Sequence, residues 1–284
     1  MALIRVKGKL SFPSLSVDDC GSGGLPVVFV HSLAGNASHW SAQLEHLREE
    51  RRAVAFDLRG HGNSELPKDG DFAIESTAGD LETVVIELGI KRFVLVGHSL
   101  GGTVAIAYAS MQTEKVAGLL LADPSGDARK VPAEQVSQLI GALESDSYPK
   151  AIEDYYGMLL TGSSPAVRNK VIRDLRNTPR ETVIGIFKAT LQYDPLTPLR
   201  HYIGPKLSIV TTLNDAPFSL HNLVADLSHI RVTGTGHWLQ MDTPEEFNRI
   251  LDDFLTSVDP GTQKKPNIPS KLVDVFWDQN DRER

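Results

Sequence analysis

The run Gly97-His98-Ser99-Leu100-Gly101-Gly102 constrains this chain more than any other stretch. It follows Arg92-Phe93-Val94-Leu95-Val96, which reads as a buried strand, and precedes Thr103-Val104-Ala105-Ile106-Ala107-Tyr108-Ala109, which reads as a packed helix. A sharp strand-to-helix turn needs small residues, because its backbone is strained and the neighbouring strands crowd it. Gly97 and Gly101 supply that room. A serine at such a turn stands exposed at the end of a sheet and at a helix N-terminus. There the backbone N–H groups and the helix dipole favour negative charge. Ser99 is therefore a candidate nucleophile. The plain alternative is a Gly-rich turn with a capping serine. The preceding strand, the following helix and the extra Gly102 weigh against it.

Short apolar runs alternate with helix-period segments along much of the chain, which predicts an α/β fold with a mostly parallel sheet. Val27–Val30 ends at His31, Ala53–Phe56 at Asp57, Gly118–Ala122 at Asp123, and Leu207–Thr211 near Asp215; Ile230–Val232 precedes His237. In open α/β sheets, ligands bind outside the carboxyl ends of the strands. Ala78, Leu81, Val84, Val85 and Leu88 share one helical face. A last helix begins at Thr243-Pro244-Glu245-Glu246, where Thr243 is the expected cap, and buries Phe247, Ile250, Leu251, Phe254 and Leu255.

Between Pro124 and Lys206 the strand rhythm stops. Pro149–Leu160 and Arg180–Tyr193 read as helices, and residues 124–206 are expected to form a helical lid over the strand ends. Residues 1–123 and 207–258 form the core in this reading. Residues 259–284, with Val273, Val275, Phe276 and Trp277 between polar stretches, are either a free tail or a short docked segment.

A chain of 284 residues with 41% hydrophobic content can bury a sizeable core. Its net charge of −7 argues against a nucleic-acid partner. With Cys20 its only cysteine, no internal disulfide can form, and the expectation is a cytoplasmic protein. Met1–Lys7 lacks the pattern of a signal peptide, and no apolar stretch approaches the roughly 20 residues of a membrane span. Neither a metal nor a cofactor is called for, and the oligomeric state is not legible.

A serine nucleophile needs a base. His237, in Thr235-Gly236-His237-Trp238 after the last strand, is the expected one among nine histidines. The base needs an acid to hold its tautomer. Asp215, in Leu213-Asn214-Asp215-Ala216-Pro217, is the expected acid, and Asp123 is its competitor. The backbone N–H of Leu100 and that of Leu33, in the loop His31-Ser32-Leu33-Ala34-Gly35, are the expected oxyanion donors. Tyr155, Tyr156, Met158, Leu159, Phe187 and Tyr193 are candidates to line a substrate pocket, and Trp238, beside the base, is expected to border it.

Four separated segments carry a resemblance to the α/β-hydrolase superfamily over roughly residues 14–258. They are Val30–Gly35 with Trp40 shortly after, Asp57–Ser64, Gly97–Gly102, and Gly236-His237-Trp238. The resemblance implies a mostly parallel eight-stranded sheet flanked by helices, a helical lid after the sixth strand, and a Ser-His-Asp triad. It also implies that the Asp57–Ser64 loop, with Arg59 and His61, is structural. In that superfamily the oxyanion loop usually reads His-Gly, and here it reads His31-Ser32. The Ser-Leu form is similar to that of 3-oxoadipate enol-lactonases, and a Ser32 hydroxyl can contact the substrate or the oxyanion. The expected activity is hydrolysis of a small carboxylic ester or lactone through an acyl-enzyme on Ser99. The same fold also supports carbon–carbon bond hydrolysis, perhydrolysis, a menaquinone-pathway type of elimination, and low-turnover ligand reception.

Overall fold

The computed structural model describes residues 3–6 and 13–259. The expected tail, apart from Asp259, lies outside the described residues. Strands β1 (Leu3–Val6) and β2 (Leu15–Cys20) come first, followed by β3 (Val27–Val30), α1 (Ser41–Leu47) and β4 (Ala53–Phe56). Then come α2 (Ile74–Glu87), β5 (Phe93–His98), α3 (Leu100–Met111) and β6 (Val116–Ala122). Five helices follow without an intervening strand: α4 (Ala133–Glu144), α5 (Tyr148–Leu159), α6 (Pro165–Asn177), α7 (Arg180–Gln192) and α8 (Leu196–His201). The chain then returns to β7 (Lys206–Thr211), α9 (Leu220–Leu223), β8 (Ser228–Val232), α10 (Leu239–Asp242) and α11 (Pro244–Val258).

The eight strands form one sheet in the order β1-β2-β4-β3-β5-β6-β7-β8. The β1–β2 and β2–β4 pairs are antiparallel, and the others are parallel. Successive side chains of a strand face opposite sides of a sheet, and here both sides are covered. Val28 and Val30 of β3 and Leu95 of β5 pack on one side, with α2, α3 and α8. Val27 and Phe29, with Val94 and Val96, pack on the other against α1 and α11. That two-sided burial is why these strands read as continuous apolar runs. Each fully buried Val, Leu or Phe contributes about 1.5–3 kcal/mol.

Strand β2 is half polar, so it lacks the continuous apolar run that marks the parallel strands. Leu15 and Val17 are buried as expected of a strand, but so are Ser16 and Asp18. Arg48 donates to Asp18 at 2.7 Å and Arg52 to Asp19 at 2.7 Å, so both carboxylates are paired from the turn that follows α1. At the other end, α11 starts at Pro244 and buries the five predicted apolar residues. Thr243 does not cap it. Its hydroxyl donates back to the Leu239 carbonyl at 3.1 Å, because the short helix α10 runs directly into α11. Cys20 is exposed and free, so it takes no part in the packed core.

Candidate active site

Ser99 sits between β5 and α3 with φ 52° and ψ −116°. This is a region that a residue with a Cβ rarely occupies. Among the described residues only Ala34 (φ 54°), Ser99 and Asp123 (φ 43°) combine a side chain with positive φ. All three stand where strands β3, β5 and β6 hand over to their loops. Backbone strain of this kind costs about 1–3 kcal/mol per residue and persists only where its surroundings enforce it. The close packing that enforces it is visible at the flanking glycines. A Cβ on Gly97 would lie 2.3 Å from the Gly101 carbonyl oxygen, and one on Gly101 would lie 2.3 Å from that of Val30.

His237, on the loop between β8 and α10, is 6% exposed. Its Nδ1 lies 2.5 Å from Oδ2 of Asp123. A carboxylate only accepts, so Nδ1 carries the proton and Nε2 is left as an acceptor. Asp123 is fully buried, and both of its oxygens are used. Thr211, at the end of the adjacent strand β7, donates its N–H to Oδ1 at 2.7 Å and its hydroxyl to Oδ2 at 2.9 Å. The Asp123 N–H in turn donates to the Ile209 carbonyl at 2.6 Å.

The expectation that Asp215 holds the histidine does not fit this geometry. Asp215 lies four residues past β7, beyond a 3-10 turn at Thr212–Asn214. Its oxygens are taken by His221, Asn222 and Arg231. The bond from His221 holds its carboxyl below the ordinary aspartate range. Asp123 reaches His237 because it follows β6 directly, with Ala122 paired against His98 at the end of β5. The competing reading of the sequence is the one this geometry favours.

Three further groups, His98, Leu159 and Tyr156, position the site in ways the sequence did not indicate. His98 points away from the Ser99 side of the strand. Its Nε2–H donates to the carbonyl of His237 at 2.9 Å, and its Nδ1 faces the Gln240 amide at 3.3 Å. Burial pushes the His98 imidazole well below the usual histidine range, so it is held neutral, as this pair of bonds requires. Leu159, at the end of α5, accepts the His237 N–H at 3.1 Å. Tyr156, also on α5, donates its hydroxyl to the Leu33 carbonyl at 2.7 Å. One helix therefore fixes both the histidine loop and the loop after β3. The contacts run through backbone carbonyls, which leave no trace in residue type. The available signal was the placement of Tyr156 and Leu159 among the pocket candidates.

The loop after β3 is anchored from below as well. His31 donates Nδ1–H to the Ser32 carbonyl at 2.7 Å and accepts the Leu58 N–H on Nε2 at 2.9 Å. Asp57 accepts from the N–H of Ala37 at 2.7 Å and of Asn63 at 2.8 Å. Arg59 makes a buried two-point contact with Asp80, at 2.6 and 2.8 Å. The Asp57–Ser64 segment thus braces its surroundings, and Arg59 and His61 stay outside the site.

Ser99, His237, Ser32, Leu33 and Leu100 border one cavity of about 380 Å³. Tyr155, Tyr156, Phe187, Met158, Leu159 and Trp238 border it too, whereas Tyr193 does not. Trp238 packs its ring 5.2 Å from that of His237 and 5.7 Å from that of Tyr156. Leu100 opens α3, where the first amides of a helix have no carbonyl one turn earlier to bond. Ser32 is 2% exposed, and its Oγ has no hydrogen-bond partner in the protein.

Residues 26–244 match the family model described as the alpha/beta hydrolase fold. The chain belongs to this family. Over 83% of its length it is 27% identical to the sn-1-specific diacylglycerol lipase of Mus musculus, covering 82% of that protein. It is 23% identical to 3-oxoadipate enol-lactonase 1 of Acinetobacter baylyi, over 86% of this chain and 94% of the relative. Its fold is similar to that of a thermophilic esterase from Thermogutta terrifontis, with a TM-score of 0.78 and 24% identity. That match covers 91% of this chain and all of the esterase. This α/β hydrolase thus has a lipase and a lactonase among its relatives and shares its fold with an esterase. No described helix is long and apolar enough to cross a membrane.

Proposed function

We propose that this α/β hydrolase cleaves small carboxylic esters or lactones through an acyl-enzyme on Ser99, with His237 as base and Asp123 as the acid partner. The observation that carries this reading is the strained serine at the elbow, bordering the same cavity as a histidine whose Nδ1 is held 2.5 Å from a buried carboxylate. His237 Nε2 takes the Ser99 proton as Oγ attacks the acyl carbon. The imidazolium is stabilised by Asp123 and then protonates the leaving alcohol. Water repeats the sequence and releases the acid. The N–H groups of Leu33 and Leu100 bind the oxyanion, each worth about 3 kcal/mol. The chemistry needs no metal or cofactor. Residues 124–206 act as the lid that shapes the cavity, on a core formed by 1–123 and 207–258.

Incubation of the full chain with p-nitrophenyl butyrate, quenched in acid and digested, tests this reading. The butyryl mass is expected on the peptide that contains Ser99, accompanied by steady turnover. Turnover without that adduct would overturn the acyl-enzyme. An adduct formed once without turnover would make the protein a receptor instead.

The Ser32 hydroxyl is a third donor to the oxyanion in this reading, supported by its burial beside the cavity without a protein partner. A hydrogen bond to a charged group contributes about 1.5–3 kcal/mol, so Ser32→Ala is expected to lower kcat about 10–100-fold with little change in KM. Unchanged kcat across several esters would remove Ser32 from the oxyanion site.

A further inference from the structure

Resting on the hydrolase reading, we propose that the cavity selects uncharged acyl groups. The substrate class is a neutral ester or lactone with a single apolar chain and about a dozen non-hydrogen atoms. A substrate that carries a free carboxylate is excluded.

The charge argument starts from the lining. Among the described residues, no lysine, arginine, aspartate or glutamate borders the cavity. Its walls are aliphatic and aromatic, from Val136 and Leu139 of α4, Leu159 of α5, and Phe187 and Leu191 of α7. The remaining polar groups there are hydroxyls and amides such as those of Ser125, Thr190 and Asn214. Three cations adjoin lining residues along the chain: Lys130 beside Val131, Lys188 beside Phe187 and Arg129 beside Ala128. Lys130 is exposed and Lys188 is paired with Glu144. That leaves Arg129. Its guanidinium is occupied by both oxygens of Asp127, at 2.8 and 2.9 Å, and by Asp194 at 2.7 Å. The buried carboxyls of Asp123 and Asp127 are both occupied, by the candidate base and by Arg129. A substrate carboxylate would enter an apolar space with no cation to meet it. Burying an unpaired charge costs enough to suppress binding about 100-fold or more.

This separates the chain from one of its own relatives. Adipate is a dicarboxylic acid, so the enol-lactone of 3-oxoadipate keeps one carboxylate after ring closure. The Ser32-Leu33 pair is shared in kind with that group, but the described residues that border this cavity include no lysine or arginine to meet such a substrate. Size separates it from another. At roughly 30 Å³ per non-hydrogen atom, the share of one water in the liquid, 380 Å³ holds about a dozen atoms. A diacylglycerol with two long chains far exceeds that.

The test is hydrolysis followed by base consumption at constant pH with three esters of one acyl skeleton. They are ethyl octanoate, which is neutral, monoethyl suberate, which ends in a carboxylate, and diethyl suberate, which is neutral at both ends. Ethyl octanoate is expected to show kcat/KM about 100-fold or more above monoethyl suberate. Diethyl suberate is expected to consume one equivalent of base and stop, because its first product is the excluded anion. Leu139→Lys, which places a cation in the wall, is expected to narrow the ratio of the first two esters by raising monoethyl suberate turnover. Equal kcat/KM for the two, or two equivalents of base from diethyl suberate, would overturn the charge selection while leaving the hydrolase reading intact. Inertness towards all three esters, with no adduct on Ser99 from p-nitrophenyl butyrate, would overturn the reading beneath it and this inference together.

Discussion

Ser99→Ala is expected to lower kcat by about 10⁶-fold while leaving the protein folded. Ser99→Gly adds a readout that a merely structural serine would not give. At φ 52° the Cβ is a source of strain, and removing it relieves about 1–3 kcal/mol. For a domain of this size that corresponds to a rise in Tm of several degrees. The glycine variant is thus expected to be inactive and more heat-stable than the parent. Steady-state hydrolysis of p-nitrophenyl butyrate and a calorimetric scan check both halves. Retained activity in either variant would sink the nucleophile assignment. A Tm that falls in Ser99→Gly would mean that the side chain stabilises the elbow rather than straining it.

The contrast between Ser99 and the rest of the site shows what a chain like this discloses. The elbow was legible because its determinants are local. An apolar run of strand length, a serine between glycines and a helical segment follow one another within eighteen residues. The glycines are forced by contacts that any such turn would make. The apolar strands were legible because burial on both faces removes polar residues from them. Strand β2 was not, because Asp18 and Asp19 find arginine partners that come from a distant turn. Helix α6 carries too little apolar surface and α8 is too short to stand out from the punctuation around them, whereas α4, with Val136, Leu139, Ile140 and Leu143 at helical spacing, carries a legible helical pattern. The histidine was legible from the loop after the last strand, but the group that holds its carbonyl, His98, looked like part of the elbow alone.

The acid was the hardest to place, and the reason is geometric. Two aspartates follow two neighbouring strands, and both stand between Ser99 and His237 in chain order. What separates them is the distance from the sheet edge. Asp123 is the first residue after β6, with a positive φ and a backbone N–H tied to β7. Asp215 is carried away by a 3-10 turn. Neither the positive φ nor the turn could be inferred from Ala122-Asp123-Pro124 or Leu213-Asn214-Asp215.

Asp123→Asn is therefore expected to cost about 10⁴-fold in kcat, while Asp215→Asn changes it less than about twofold. In the first variant the amide oxygen can still accept from Thr211, so the packing is kept. The amide nitrogen then faces His237 Nδ1 and donates to it, which places the imidazole proton on Nε2. That nitrogen can no longer take a proton from Ser99. In the second variant only the partners His221, Asn222 and Arg231 lose a carboxylate, and none of them borders the cavity. Raising the pH discriminates further. Hydroxide can replace the missing base, so the residual activity of Asp123→Asn is expected to climb with hydroxide concentration, whereas the parent and Asp215→Asn, which keep their own base, are expected not to show that climb. The opposite ranking, a severe loss in Asp215→Asn beside an active Asp123→Asn, would return the acid to the loop after β7. It would also mean that the pair at 2.5 Å is not the one used in turnover.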